Sequence, residues 1–406
     1  MLDRAELAAR LVEADDDGRA RLLREHAALA DSALARSLRD ICHEVWSTEP
    51  ARAVATARAL ESLARANRDA ETAAHAAWAA GVAAIVEGRL ERAIARLDDA
   101  AARFSASGLA HAAASTQVSR LYALALLGRY DEAIEAGLGA REVFLARADE
   151  LAAGKVEQNI GNLYGRRGRY REAERFQLAA RERFLAAGDE LQLAKVDNSL
   201  GLLHALQHDF RSAERLYESA LRHAETAGLT VTQAEIEASV GNLALFQGRY
   251  DRALDFLERS RRRYAALGMA HQSAVAELEL ADAYLELNLA PEAVSTYERA
   301  APVFAASGMR AEHARALANW GRALIALGRA EEAHRQLASA RSLYAAEGNR
   351  VGEASVGLTE AQLLHAEGDH VGAGRAAAGA EPPLAEAGAW GLLLLARWLR
   401  GEAARA

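Results

Sequence analysis

The chain has 406 residues, a single cysteine and a formal net charge of -8. An acidic balance argues against a nucleic-acid partner, because phosphate binding rests on clustered Lys and Arg, and lone Cys42 rules out an internal disulfide. No stretch approaches the roughly 20 apolar residues that cross a bilayer, and Met1 to Arg10 is charged where a signal peptide is apolar, so no membrane partner is expected and the cytoplasm is the expected compartment.

Residues 1–31 read as an N-terminal helical cap. Asp3 and Glu6 form a capping-box pattern, and Asp15, Asp16 and Asp17 make a polar break between two short helices. Residues 32–380 then read as about nine 40-residue repeats. Alanine stands one period apart at Ala53, Ala93, Ala133, Ala173, Ala213, Ala253, Ala293, Ala333 and Ala373. A second column is small at Gly81, Gly161, Gly201, Gly241, Ala281, Gly321 and Ala361, broken once by Leu121.

Within a repeat, Leu193, Val196, Leu200 and Leu203, then Leu216 and Leu221, recur at helical steps. Glycine falls at two fixed places, such as Gly168 and Gly188, where a left-handed residue closes a helix. Each repeat is therefore expected to be helix A, turn, helix B, turn. Pro50 and Pro291 sit where a first helical turn accepts proline, and no internal break is expected. The small residues at Gly161 and Ala173 let two backbones approach closely, and rings at Phe104, Phe144, Phe184, Tyr264, Phe304 and Tyr344 supply one bulky residue per layer, read as core rather than as a stacking platform. Residues 381–406 hold Trp390, Leu392 to Leu395 and Trp398: an apolar helix that either caps the array or begins a tenth repeat and offers a docking face.

The combination of Gly161, Tyr164, Ala173 and Ala180, then Gly201, Ala213, Tyr217 and Ala220, resembles the tetratricopeptide repeat superfamily over about four fifths of the chain. The unit is six residues longer than that family's usual one and lacks its proline at the end of helix B. In this respect it is similar to the repeats of kinesin light chain, of bacterial regulators with repeat sensor domains and of regions preceding caspase-like CHAT proteases. The resemblance implies an all-α, right-handed α-solenoid superhelix of about nine helix-turn-helix repeats, with helix A lining a concave groove. It implies a protein or peptide ligand there. The groove candidates are Lys155, Gln158, Asn159, Asn162 and Arg166, then Lys195, Asn198 and Ser199, then Asn242. Asn and Lys at these places suit peptide backbone and carboxylates, and Lys155 and Lys195, the only lysines in the chain, share one repeat position. Glu279, Asp282 and Glu286, followed by Arg315 and Arg322, extend the face with alternating charge, which also serves simply to keep the helices hydrated.

No catalytic, metal or cofactor site is expected. His204 and His208 have metal-ligand spacing, but His204 takes the place of a packed ring and His208 that of a turn glycine. Cys42 and His43 are adjacent on a helix and point apart, so Cys42 reads as a buried small residue. The functional expectation is a non-catalytic interaction or peptide-binding scaffold, a sensor acting on a fused or separate effector such as a CHAT protease. A free-standing peptide-sensing adaptor is the alternative, and an enzyme with an unrecognised groove site a distant one. The oligomeric state is not legible.

Overall fold

The computed structural model describes residues 3–46 and 49–405. It falls into two units, residues 1–203 and 204–406. Among the described residues every regular element is helical.

In the first unit, α1 (Arg4–Glu13), α2 (Asp16–Glu25) and α3 (Ser32–Val45) precede α4 (Pro50–Asn67). The first three begin at aspartates whose carboxylates accept main-chain N–H groups: Asp3 from Glu6, Asp15 from Gly18 and Asp31 from Leu34, at 2.8–3.0 Å. From there the helices keep step with the sequence. α5 (Ala70–Val86), α6 (Leu90–Ala106), α7 (Ala110–Leu126), α8 (Tyr130–Ala146), α9 (Glu150–Arg166) and α10 (Tyr170–Ala187) each start twenty residues after the last, and each packs on the one before it. α11 (Glu190–Leu206) carries the boundary between the units.

The second unit continues the same interval with α12 (Phe210–Thr226), α13 (Thr230–Phe246), α14 (Tyr250–Ala266), α15 (Ala270–Glu286), α16 (Ala290–Ala306), α17 (Arg310–Ala326), α18 (Ala330–Ala346), α19 (Arg350–Ala366), α20 (His370–Glu386) and α21 (Trp390–Arg405). From α13 onward each helix packs on its predecessor, so both units are stacks of helical hairpins. α16 and α20 run unbroken through Pro302 and through Pro382 and Pro383.

The turn glycines do what their positions ask. Thirteen of them have φ between 64° and 85°. In the turn after α5, Gly88 N–H donates to Ile85 O at 3.0 Å and Arg89 N–H to Ala84 O at 2.8 Å, which satisfies two carbonyls that the helix end would orphan. Ala148, His208 and Asn288 hold the same left-handed place at φ 55°, 61° and 56°.

The small-residue column makes room twice over. A Cβ on Gly241 would lie 2.7 Å from Leu257 and 3.2 Å from the carbonyl of Ala253; on Gly81 it would lie 2.7 Å from Leu97 and 3.4 Å from that of Ala93. The expected approach to the alanine column is there, but the tightest neighbour is the side chain sixteen residues on. Where Leu121 breaks the column, the position sixteen residues later is Gly137, and a Cβ there would meet Leu121 at 2.8 Å. The same volume is filled from the opposite helix. Phe104, Phe144, Phe184, Tyr264 and Phe304 are buried in the core, as expected, whereas Tyr344 of the same column is only half-buried against it.

Candidate functional site

Helix A is enclosed on most of its circumference. In α9 the residues Ala153, Gly154, Val156, Glu157, Gln158, Ile160, Gly161 and Leu163 are all buried. What remains for solvent is a narrow strip holding Lys155, Asn162 and Arg166, with Asn159 half-buried beside it. Gln158 corrects the sequence expectation: it is only 8% exposed and does not belong to the solvent-facing strip. Asn162 is partly engaged, since its Oδ1 accepts from Nε2 of Gln177 in α10 at 2.7 Å. The same Nε2 donates to the Gln158 carbonyl at 3.2 Å.

One period later Lys195 is exposed, and Asn198 and Ser199 are half-buried. Oδ1 of Asn198 is sealed from water without a hydrogen-bond partner. Asn242 is half-buried on α13, in the second unit, so the expected residues divide eight and one between the units. The alternating charges of α15 and α17 pair with one another: Arg315 with Asp282 and Arg322 with Glu286, both at 3.8 Å. Asp282 also accepts from Tyr297 Oη at 2.5 Å and Asn319 Nδ2 at 2.9 Å.

The first unit holds a cavity of about 280 Å³ that the sequence reading did not include. His43 of α3, His75 and Trp78 of α5, Phe104 of α6, and His111 and Ser119 of α7 stand on its wall. The rings of His43 and Trp78 lie 6.4 Å apart, and Trp78 Nε1 donates to Ser119 Oγ at 3.2 Å. Nearby, Trp46, the residue that ends α3, meets Tyr122 of α7 edge-on at 5.1 Å. His111 Nε2 lies 2.7 Å from Oδ2 of Asp149, the residue that caps α9.

Desolvation lowers the pKa of two of these imidazoles, His75 and His43. His75 is 2% exposed and pushed down to about 4 by desolvation, its Nδ1 has no partner, and its Nε2 lies 3.7 Å from the Glu71 carboxylate. His43 is open to solvent on one side yet is also held below the ordinary histidine range, first by desolvation against the cavity wall and then by the positive charge of Lys155. A neutral imidazole offers one donor and one acceptor, so the cavity presents hydrogen-bonding groups and aromatic faces together. The signal was in the sequence, because the repeat position of Lys155 and Lys195 holds His75 and Ser115 two and one periods before Lys155.

Away from this strip, helix A carries buried carboxylates. Glu157 pairs with Arg141 at 2.5 Å and Arg183 at 2.8 Å; Asp197 with Arg181 at 2.6 Å; Glu237 with Arg259 at 2.6 Å and Arg263 at 2.8 Å. The three acids are fully buried and take their arginines from helices B. A buried acid left without its cation is strongly destabilising, so these contacts lock helices together.

The remaining candidates behave as packing groups. Cys42 is buried, its thiol pushed up to about 12 by desolvation, while His43 beside it is exposed on the other side of α3. His204 Nδ1 lies 3.3 Å from Asp209, and His208 occupies the left-handed turn with its ring edge-on to Phe210. On α21, Leu393, Ala396 and Leu399 are buried, whereas Trp390 and Trp398 are 67% and 56% exposed. No helix among the described residues is long and apolar enough to cross a membrane.

Comparison with known proteins agrees with this architecture. The tetratricopeptide repeat family model matches residues 150–226. A search of curated proteins gives no match. Among solved structures, a signal-transduction ATPase with numerous domains and a tetratricopeptide repeat sensor, from Pyrococcus horikoshii, is similar over 90% of this chain at 16% identity and a TM-score of 0.61. This chain spans 55% of that protein's length. The apo quorum sensor NprR from B. thuringiensis is similar over 84% of this chain and 97% of its own, at 15% identity and a TM-score of 0.59. A Rap protein complexed with competence and sporulation factor is similar over 92% of this chain and 98% of its own, at 12% identity and a TM-score of 0.54. Residues 150–226 thus match the tetratricopeptide repeat family, and the forty-residue hairpins of the chain are similar in fold to solved repeat structures.

Proposed function

We propose that this chain is a non-catalytic peptide-binding sensor or scaffold whose ligand lies along the helix A strip of the first unit. The observation that carries this reading is the cavity walled by His43, His75 and Trp78, which sets aromatic faces beside hydrogen-bonding groups. An extended peptide would seat an apolar or aromatic side chain against Trp78, give its backbone to Asn159 and the free amide of Asn162, and place a carboxylate at Lys155. Similarity in fold to a quorum sensor, to a Rap protein solved with competence and sporulation factor, and to a repeat sensor of a signal-transduction ATPase supports the same class of ligand. Lys195, Asn198 and Ser199 would extend the strip, with Arg166 at its edge. Asn242 would serve a contact of the second unit.

A sensor needs something to act on. In this reading the effector, fused as a CHAT protease would be or supplied by a separate protein, docks on the outer face of α21 at Trp390 and Trp398. The test is selection of phage-displayed random heptapeptides on the purified chain, followed by titration of the winners into Trp78→Ala and Lys155→Met. Loss of roughly tenfold or more in affinity, with unchanged circular dichroism, is the expected result. Winners that bind both variants as tightly as the parent would remove the first-unit strip as the site.

A further inference from the structure

Arginine and acid recur sixteen residues apart, from one hairpin to the next: Arg141 with Glu157, Arg181 with Asp197, and Arg261 with Glu277 at 3.6 Å. Further along, one such position drops both members, with Ala301 and Leu317 in their places. The next keeps the arginine and loses the acid: Arg341 stands sixteen residues before Gly357. Gly357 is buried in α19, and a Cβ there would meet Nη2 of Arg341 at 3.6 Å and the Ala376 carbonyl at 3.9 Å. Those are ordinary contacts, so a side chain would fit where none is present.

The gap belongs to a cavity of about 370 Å³ in the second unit, whose wall includes Arg341, Arg350, Glu353, Gly357, Arg375 and Gly379. Three guanidinium groups face one carboxylate there. Glu360 takes Nη2 of Arg341, and Glu386 takes Nη1 of Arg350 at 2.7 Å on the exposed surface. Among the described residues, no carboxylate lies within ion-pair distance of Arg375. Gly379 and Gly357 keep two walls free of side chains, which leaves room for a ligand to reach the arginines.

We propose that this cavity binds a ligand carboxylate, which takes the position that the chain's own acid fills at Glu157, Asp197 and Glu277. Planar guanidinium groups recognise a carboxylate through paired N–H bonds, and the repeats themselves show that pairing with an internal acid. The site stands in the second unit and does not depend on the peptide strip of the first. A free dicarboxylic acid and an acidic residue of a peptide both carry the chemistry.

The test is isothermal titration and thermal melting of the whole chain with glutarate, with an acetylated and amidated Ala-Glu-Ala tripeptide, and with neutral glutaramide and inorganic phosphate as controls. Saturable binding of glutarate or the tripeptide supports the proposal, and the tighter of the two names the source. Arg375→Gln should weaken that binding roughly tenfold. Gly357→Glu, which restores the missing acid inside a helix that accepts glutamate readily, should abolish it and raise the melting temperature without ligand. Absence of binding by both carboxylates at millimolar concentration, binding indifferent to Arg375→Gln and Gly357→Glu, or equally tight binding of phosphate or glutaramide would overturn it.

Discussion

The hairpins α5–α6 and α7–α8 follow one plan with its volumes exchanged. In the first, Gly81 lies under Leu97; in the second, Leu121 lies over Gly137. The backbone spacing is kept because the sum of the two side chains is kept, not because either column is invariant. A repeat is thus specified by pairs of positions sixteen apart, and one member alone says little.

Removing a member without its partner gives the largest expected effect. Leu121→Gly should cost about 4 kcal/mol, the lost leucine volume plus a helical glycine, and adding Gly137→Leu should recover about half of that. Urea unfolding of the two single variants and the double variant measures the coupling. Strict additivity would mean that the two positions are not exchanging volume. Next comes charge: Glu157→Gln should lose about 3 kcal/mol, because Arg141 and Arg183 keep their charges in a half-buried setting without an ionised acid. A loss below about 1 kcal/mol would reduce these ion pairs to surface contacts.

The third comparison is between pH values. The folded chain holds His75 at about 4 against an ordinary 6.5, so the unfolded chain takes up this proton first on acidification. Above about pH 6.5 both states are neutral and the group contributes no slope. Between about 6.5 and 4 stability falls, by at most about 1.4 kcal/mol per pH unit. His75→Gln should flatten that part of a denaturation-midpoint profile, and a parental slope that survives the substitution would assign it elsewhere. Smallest is the turn. Ala148 bears a left-handed backbone that glycine holds at Gly108, so Ala148→Gly should gain about 0.5 kcal/mol, read as a small rise in melting temperature.

The helices, their order and the turns were legible in the sequence because glycine at a helix end and a 3.6-residue period are local signals. The aromatics at Phe104, Phe144 and Phe184 were legible as core for the same reason, since one bulky residue recurs per layer. The facing of positions was not. A period aligns Gly161 with Gly201, yet it cannot say that Gly161 abuts Gln177 or that Glu157 reaches back to Arg141. Gln158 was misplaced because a helix packed by neighbours on several sides has no wide polar face to betray its orientation. The cavity at His75 escaped because its wall joins α3, which stands outside the period, to α5 and α7.

Two kinds of tie hold the joints, and Glu157 with Arg183 places both kinds inside a hairpin. Glycine-to-leucine fits connect the helices inside one hairpin, whereas Arg141 to Glu157 and Arg181 to Asp197 connect a hairpin to its successor. Genetic duplication or excision of forty codons would therefore be costly at either cut. A break within a hairpin mismatches bulk and, at Glu157 or Glu237, parts an acid from its arginine, and a break between hairpins strands a cation or an anion. Such a gene should drift by paired substitution far more readily than by gaining or losing whole units from its middle.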